Sequence, residues 1–155
     1  MKLVDTFNYP SSSRADIDGL RHYDINGEAQ KLPSVTTVLS RTKNKKDQES
    51  IERWKQKVGE ERAEEIKNEA AARGTAMHKY LEDFIRGQRS LDLTTTGQEA
   101  QKMAEIIMEK GLNDCSNVYG VEATLYYPGL YAGSCDLIAS YNGKLAIIDF
   151  KQTNK

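Results

Sequence analysis

Two short stretches of the chain hold the residues best suited to chemistry: Gly133-Ser134-Cys135-Asp136, and Ile147-Ile148-Asp149-Phe150-Lys151. Between them, Asn142-Gly143 can supply the positive φ angles of a two-residue type I′ hairpin loop. Tyr141 then faces Lys144, and counting back along both strands sets Asp136 opposite Asp149. Like charges facing each other across a strand pair are unfavourable. An apolar strand such as Leu145-Ala146-Ile147-Ile148 makes the repulsion worse. A divalent cation is the simplest compensation, and oxygen donors with at most one histidine and no cysteine favour Mg²⁺ or Mn²⁺ over zinc. Lys151 is two residues past Asp149 and so on the same face. Its ammonium can there position or activate a water and steady charge that develops on a phosphate.

Glu122 extends the row. If Pro128-Gly129-Leu130 is a three-residue loop, Tyr127 faces Tyr131 and Glu122 falls opposite Asp136, unless a bulge shifts it. His78 and Glu82 are four residues apart and share an edge of a helix. Taken singly these residues have plainer readings. An isolated Asp-x-Lys is most often a surface ion pair of little consequence. A lone histidine is usually hydrogen-bonded and partly buried, and a helical glutamate is usually solvated. Hairpin registry between two acids is what sets this constellation apart.

The elements that must position these residues are legible in outline. Residues 1–33 read as irregular, with one hairpin at Asn26-Gly27. Ser34 is a candidate N-cap for a short helix through Val35, Val38 and Leu39. Residues 47–87 are rich in Glu, Lys, Ala and Arg and read as helix broken near Gly59 and near Gly74. Met77, Leu81, Phe84 and Ile85 form an apolar stripe, and Gly87 is a natural stop. A second helix is predicted over 98–110, with Met103, Ile106 and Ile107 inward and Gly111 ending it. Trp54 and the methionines are expected in the core. Strands are predicted over 118–127, 131–141 and 144–151, an antiparallel meander after helices, hence a mixed α and β class. The last strand lacks polar alternation and wants cover on both faces. The helices named can cover one, so an exposed apolar patch is expected near the C-terminus. The division is therefore one domain over 1–155: hairpin and short helix over 1–46, a helical part over 47–111, and the meander carrying the chemistry over 118–155.

Bulk properties restrict the partners. A chain of 155 residues suits one domain with a sizeable core. With 22 Lys and Arg against 23 Asp and Glu there is no global basic field, so nucleic acid would have to be met by locally gathered charge. The run Arg41-Thr42-Lys43-Asn44-Lys45-Lys46 reads as a solvated loop. Cys115 and Cys135 make neither ligand spacing nor a disulfide framework, so a reduced setting is expected. Neither a signal-peptide stretch nor a membrane-spanning apolar run is present in the sequence given. The expected location is the cytoplasm, that of the host if the chain is phage-encoded.

Gly74-Thr75-x-x-His78-x-x-x-Glu82, then Gly133-x-x-Asp136, then Asp149-x-Lys151 resembles the RecB-like branch of the PD-(D/E)XK nucleases. The resemblance is closest to phage and mitochondrial genome-maintenance-type exonucleases. Leu32-Pro33-Ser34-Val35-Thr36-Thr37-Val38-Leu39-Ser40, followed by Trp54, looks like that subgroup too, so the similarity runs from about residue 20 onward. It implies a restriction-endonuclease-like α/β core and a metal-dependent exonuclease acting on single-stranded DNA ends. By the same resemblance Asp136 and Asp149 bind metal with His78, Lys151 is the catalytic lysine, Glu122 matches a further acid, and Glu82 matches the motif helix. An iron–sulfur cluster, which some relatives hold on four cysteines, is excluded by the two present. The family pattern continues past the lysine into a helix with a Gln-x-x-x-Tyr motif. A form lacking the C-terminal part of the core is therefore expected, its open face filled by a second copy or left bare. The alternative is an accessory nucleic-acid-binding module that kept the fold without turnover.

Overall fold

Turn chemistry frames the C-terminal half of the chain. The computed structural model describes residues 1–153; the last two residues of the meander segment lie outside the described residues. Asn142 and Gly143 both take left-handed φ angles, 48° and 74°. They join β6 (Tyr131–Tyr141) to β7 (Lys144–Ile148) with Tyr141 opposite Lys144, as expected. The three-residue loop at Pro128-Gly129-Leu130 likewise sets Tyr127 of β5 (Cys115–Tyr127) opposite Tyr131. A fourth strand with no local signal, β1 (Lys2–Leu3), pairs in parallel with Asn117 and Val118. The sheet order is β1-β5-β6-β7, and the class is mixed α/β.

Two long helices, α3 (Glu60–Ile85) and α4 (Thr95–Lys110), pack against this sheet. Met77 and Leu81 are wholly buried and Ile85 nearly so, against Ala100, Ala104, Val118, Leu137 and Ala139. Burying each large side chain of this kind contributes about 1.5–3 kcal/mol. Phe84 and Ile106, expected inward, face out with 45% and 55% exposure. The helices meet through the small residues Ala100 and Ala104, which narrows the buried stripe. Gly59 (φ 86°) separates α3 from α2 (Lys45–Val58) as expected. Trp54 on α2 is corrected from core to surface: that helix buries nothing, and Trp54 is 40% exposed. Lys45 and Lys46 open α2 rather than extend a loop.

Gly74 does not break α3. A Cβ there would lie 2.9 Å from Gln152 Nε2, so this glycine lets the chain beyond β7 approach the helix. Gly87 (φ 70°) and Gly111 close α3 and α4 as the sequence suggests, while α4 starts at Thr95 rather than Gln98 because Thr94 caps it. In β7, Ala146 and Ile148 are partly buried while Leu145 and Ile147 are 63% and 64% exposed. The strand is covered on one face, and the expected apolar patch is on the other.

The N-terminal region is more ordered than its composition suggests. The hairpin turn is Asp18-Gly19 (φ 53° and 73°), joining β2 (Ser12–Ile17) to β3 (Leu20–Ile25). Asn26-Gly27 instead leads toward β4 (Leu32–Pro33), and Asn26 does not take the left-handed conformation that a type I′ loop needs. Tyr23, Ile25 and Leu32 bury against Ala132 of β6. Ser34 caps α1 (Val35–Arg41) by accepting from the Thr37 N–H at 3.0 Å, and its backbone bridges to Ala132. The small sheet is fastened to the large one through Ser12 and Thr124 hydroxyls 2.7 Å apart and through Glu28, which accepts from Gly129 N–H at 3.0 Å. Among the described residues no helix is long and apolar enough to cross a membrane.

Candidate metal and catalytic site

Three of the expected residues converge. Donor atoms of His78, Glu122 and Asp136 lie within 4.8 Å of one another. His78 comes from the C-terminal third of α3, one residue past the buried Met77, so its ring emerges at the rim of the core. Glu122 and Asp136 come from β5 and β6, where the register of the flanking pairs Val121↔Leu137 and Ala123↔Cys135 sets them across from each other. The bulges of β5 lie between Cys115 and Gly120, before this point.

Local backbone and hydrogen bonds aim each group. Glu122 has φ 52°, unusual for a residue with a Cβ and costing on the order of 1 kcal/mol. Ser134 Oγ donates to its Oε2 at 3.1 Å. Arg86 bonds the neighbouring Val121 carbonyl at 3.2 Å and is itself held by Glu82 at 3.0 Å. Glu82 therefore stands outside the cluster and braces the strand that carries Glu122.

His78 and Asp136 grip the two peptide groups that flank Phe150. Asp136 Oδ2 accepts from the Phe150 N–H at 2.6 Å, and His78 Nε2 lies 3.0 Å from the Phe150 carbonyl oxygen. A carbonyl can only accept, so Nε2 carries the proton and Nδ1 presents a lone pair in the neutral ring. That Nδ1 is 3.4 Å from Asp136 Oδ1, and Asp136 is largely buried. With the ring neutral, one imidazole lone pair and two carboxylates converge as a donor set suited to a cation. The tautomer-fixing carbonyl is the usual support of a metal-ligating histidine.

Asp149 is not in the ladder position expected of it, while Lys151 stays beside it. The β6–β7 ladder ends at Leu137↔Ile148, so Asp136 and Asp149 are not a ladder pair; Asp136 commits one oxygen to the Phe150 amide instead. Asp149 and Lys151 line the same cleft, about 980 Å³, and pair with each other at 2.8 Å. Both are well exposed, so the pair is weak and readily exchanged for a ligand. Cys135 also lines the cleft, where burial pushes its thiol up, and its Sγ donates to the Ala123 carbonyl at 3.4 Å. It stays a thiol and not a thiolate ligand.

Sequence reasoning missed Ser134 and Gln152. Gln152 bonds the Ala70 carbonyl and receives Arg73 Nε at 3.1 Å, docking the segment after Lys151 onto α3. The one signal for Ser134 was its place inside Gly-x-x-Asp, two residues from Asp136 and so on its face. Gln152 had none, because its partners are 79 and 82 residues away.

No protein-family model matches the chain. It is 32% identical over 130 residues to mitochondrial genome maintenance exonuclease 1 of Mus musculus, an alignment covering 80% of this chain and 38% of that protein. The Homo sapiens protein of the same name is 32% identical over 129 residues, covering 80% and 37%. That of Xenopus tropicalis is 28% identical over 144 residues, covering 87% and 39%. The chain thus spans well under half the length of the curated relatives it matches.

Proposed function

We propose that this chain is a metal-dependent DNA exonuclease of the PD-(D/E)XK type, acting on single-stranded ends. The observation that carries the reading is the convergence of His78, Glu122 and Asp136 at the floor of a cleft that Asp149 and Lys151 also line. Similarity to relatives named as exonucleases supports the same reaction class.

His78 through Nδ1, Asp136 and Glu122 would hold the cation, with Asp149 joining once its pair with Lys151 opens. Their oxygen-rich composition favours Mg²⁺ or Mn²⁺. When bound, such an ion supplies Lewis-acid charge neutralisation at a phosphate. The chain's own groups do the rest. Lys151, freed from Asp149, offers a mobile ammonium to the charge that builds on the phosphate oxygens. Phe150, gripped at its N–H and its carbonyl, fixes the backbone between Asp149 and Lys151 and so the span over which the two act.

Lys151→Ala is expected to abolish Mg²⁺-dependent release of label from 5′- or 3′-labelled single-stranded DNA while the metal still raises the melting temperature. Asp136→Ala is expected to lose both. Equal cleavage by wild type and Lys151→Ala, in preparations purified side by side, would sink the assignment. A second reading, a nucleic-acid-binding module without turnover, draws on the mutual pairing of Asp149 and Lys151 apart from the cluster. Absence of any label release, with DNA binding intact, would favour it.

A further inference from the structure

The cleft has a second wall that the proposed chemistry does not use. On the N-terminal hairpin, Arg14 faces Tyr23 and Arg21 faces Asp16 across the β2–β3 ladder. Directly opposed residues share a face, and alternation puts these two pairs on the side that also carries Ile25 and Ser12, the side fastened to the large sheet. Arg14 and Arg21 both line the cleft. Neither makes an ion pair or side-chain hydrogen bond among the described residues, and both are exposed. Asp16, which could neutralise Arg21, is turned instead to the Gly19 N–H at 2.8 Å. These two guanidiniums therefore point into a cleft whose floor carries carboxylates.

Aromatic rings line the same cleft. Tyr127 and Tyr131, the last pair before the β5–β6 loop, have ring centroids 6.1 Å apart at 34°. They are 57% and 42% exposed. That loop is not free to swing away, because Glu28 holds the Gly129 N–H. Paired guanidiniums suit phosphates, and exposed ring faces suit unpaired bases. At about 980 Å³ the cleft is of ligand-pocket size, with room for a few nucleotides in single file.

Resting on the nuclease reading, we propose that Arg14 and Arg21 with Tyr127 and Tyr131 form a track that holds a single strand by backbone and base and presents its phosphate to the carboxylate floor. The guanidiniums bind phosphates flanking the site; the tyrosines stack on unpaired bases. The near-neutral chain thereby gathers positive charge on the one wall where the substrate's charge must be offset.

The test measures equilibrium binding of a fluorescent single-stranded oligonucleotide and of its duplex to the full chain in chelator, across a salt series. Arg14→Gln/Arg21→Gln should reduce the slope of log K against log salt by about 1.4, at about 0.7 for each single-strand phosphate that is no longer neutralised. Tyr127→Ala and Tyr131→Ala should each weaken single-strand binding on the order of tenfold and leave duplex binding and the salt slope unchanged. All four side chains are exposed, so melting temperatures should stay near wild type and serve as the folding control. Wild-type binding that is unaltered in slope and affinity by both sets of substitutions would overturn the track, as would failure of wild type to bind the strand. Binding that behaves as stated, in a protein that never cleaves with Mg²⁺ or Mn²⁺, would defeat the nuclease reading and leave the track standing.

Discussion

Asp136→Asn tests the cluster through stability rather than turnover. In the metal-free chain, oxygens of Asp136 and Glu122 are within 4.8 Å. Two unit charges at that separation repel by roughly 1 kcal/mol in a water-like medium and about 3.5 kcal/mol at an effective dielectric of about 20. Asparagine removes this. Its carbonyl can still accept the Phe150 N–H, though a neutral acceptor gives up about 1–1.5 kcal/mol relative to a charged one. Its amide, placed where Oδ1 now lies 3.4 Å from His78 Nδ1, can donate to that lone pair. The balance runs from about zero to about 2 kcal/mol in the variant's favour. In chelator, Asp136→Asn should therefore melt no lower than wild type. Mg²⁺ or Mn²⁺ should reverse the order. Binding to the folded state alone adds about 2.7 kcal/mol at a hundredfold excess over Kd, or about 5–10 °C for a chain of this size. Wild type should gain it and the variant should gain little. Calorimetric melting of both proteins, with chelator and with metal, is the assay. A variant that melts well below wild type in chelator and then responds equally to metal would make Asp136 a structural residue.

Gly74→Ala should gain up to about 1 kcal/mol of helix propensity but push Gln152 off α3, since the new Cβ would lie 2.9 Å from its Nε2. Melting should change little while cleavage falls several-fold. Gln152→Ala should match it and the double variant be no worse; full activity in Gly74→Ala would refute this. The Asp92 carboxyl is held below the usual range by the Thr94 hydroxyl first and the Thr94 N–H second. A depressed carboxyl contributes stability above its unfolded value, and that contribution is lost as pH falls through the folded value. Asp92→Asn should accordingly be less stable than wild type above about pH 4 and converge with it in more acid solution. A stability difference that does not change with pH would contradict the assignment.

What the sequence disclosed was local. Asn142-Gly143 could be read because a type I′ loop needs two left-handed residues and few sequences supply them. The register it set reaches Leu137↔Ile148 without error. Asp18-Gly19 carries the same signal as Asn26-Gly27, and the fate of the latter is decided by Leu32 pairing back onto Tyr23. Gly74 misled because its reason for being glycine is Gln152, far along the chain. Asp149 misled for a related reason: nothing in a strand pattern says that a carboxylate will take the amide of Phe150 and end the ladder. Glu122 was placed correctly by counting, yet its left-handed backbone was invisible. Phe84 and Ile106 were misjudged because helical period fixes a stripe's direction but not its width.

The parallel seam between β1 and β5 has a kinetic consequence. The meander is built from hairpins with loops of two and three residues, whereas Leu3 meets Val118 and Ser12 meets Thr124 across more than 110 positions. Loop closure of that length is entropically expensive and slow, so the meander and the α3–α4 pair should order first and the N-terminal segment dock last. The converse holds in the finished protein. Release of residues 1–34 costs few buried side chains, chiefly Tyr23, Ile25 and Leu32. It leaves the main core intact, so the segment is less protected than the meander and the α3–α4 pair. Because Arg14 and Arg21 travel with it, one wall of the cleft is hinged on a segment that should exchange its amide hydrogens sooner than the sheet that carries the carboxylates.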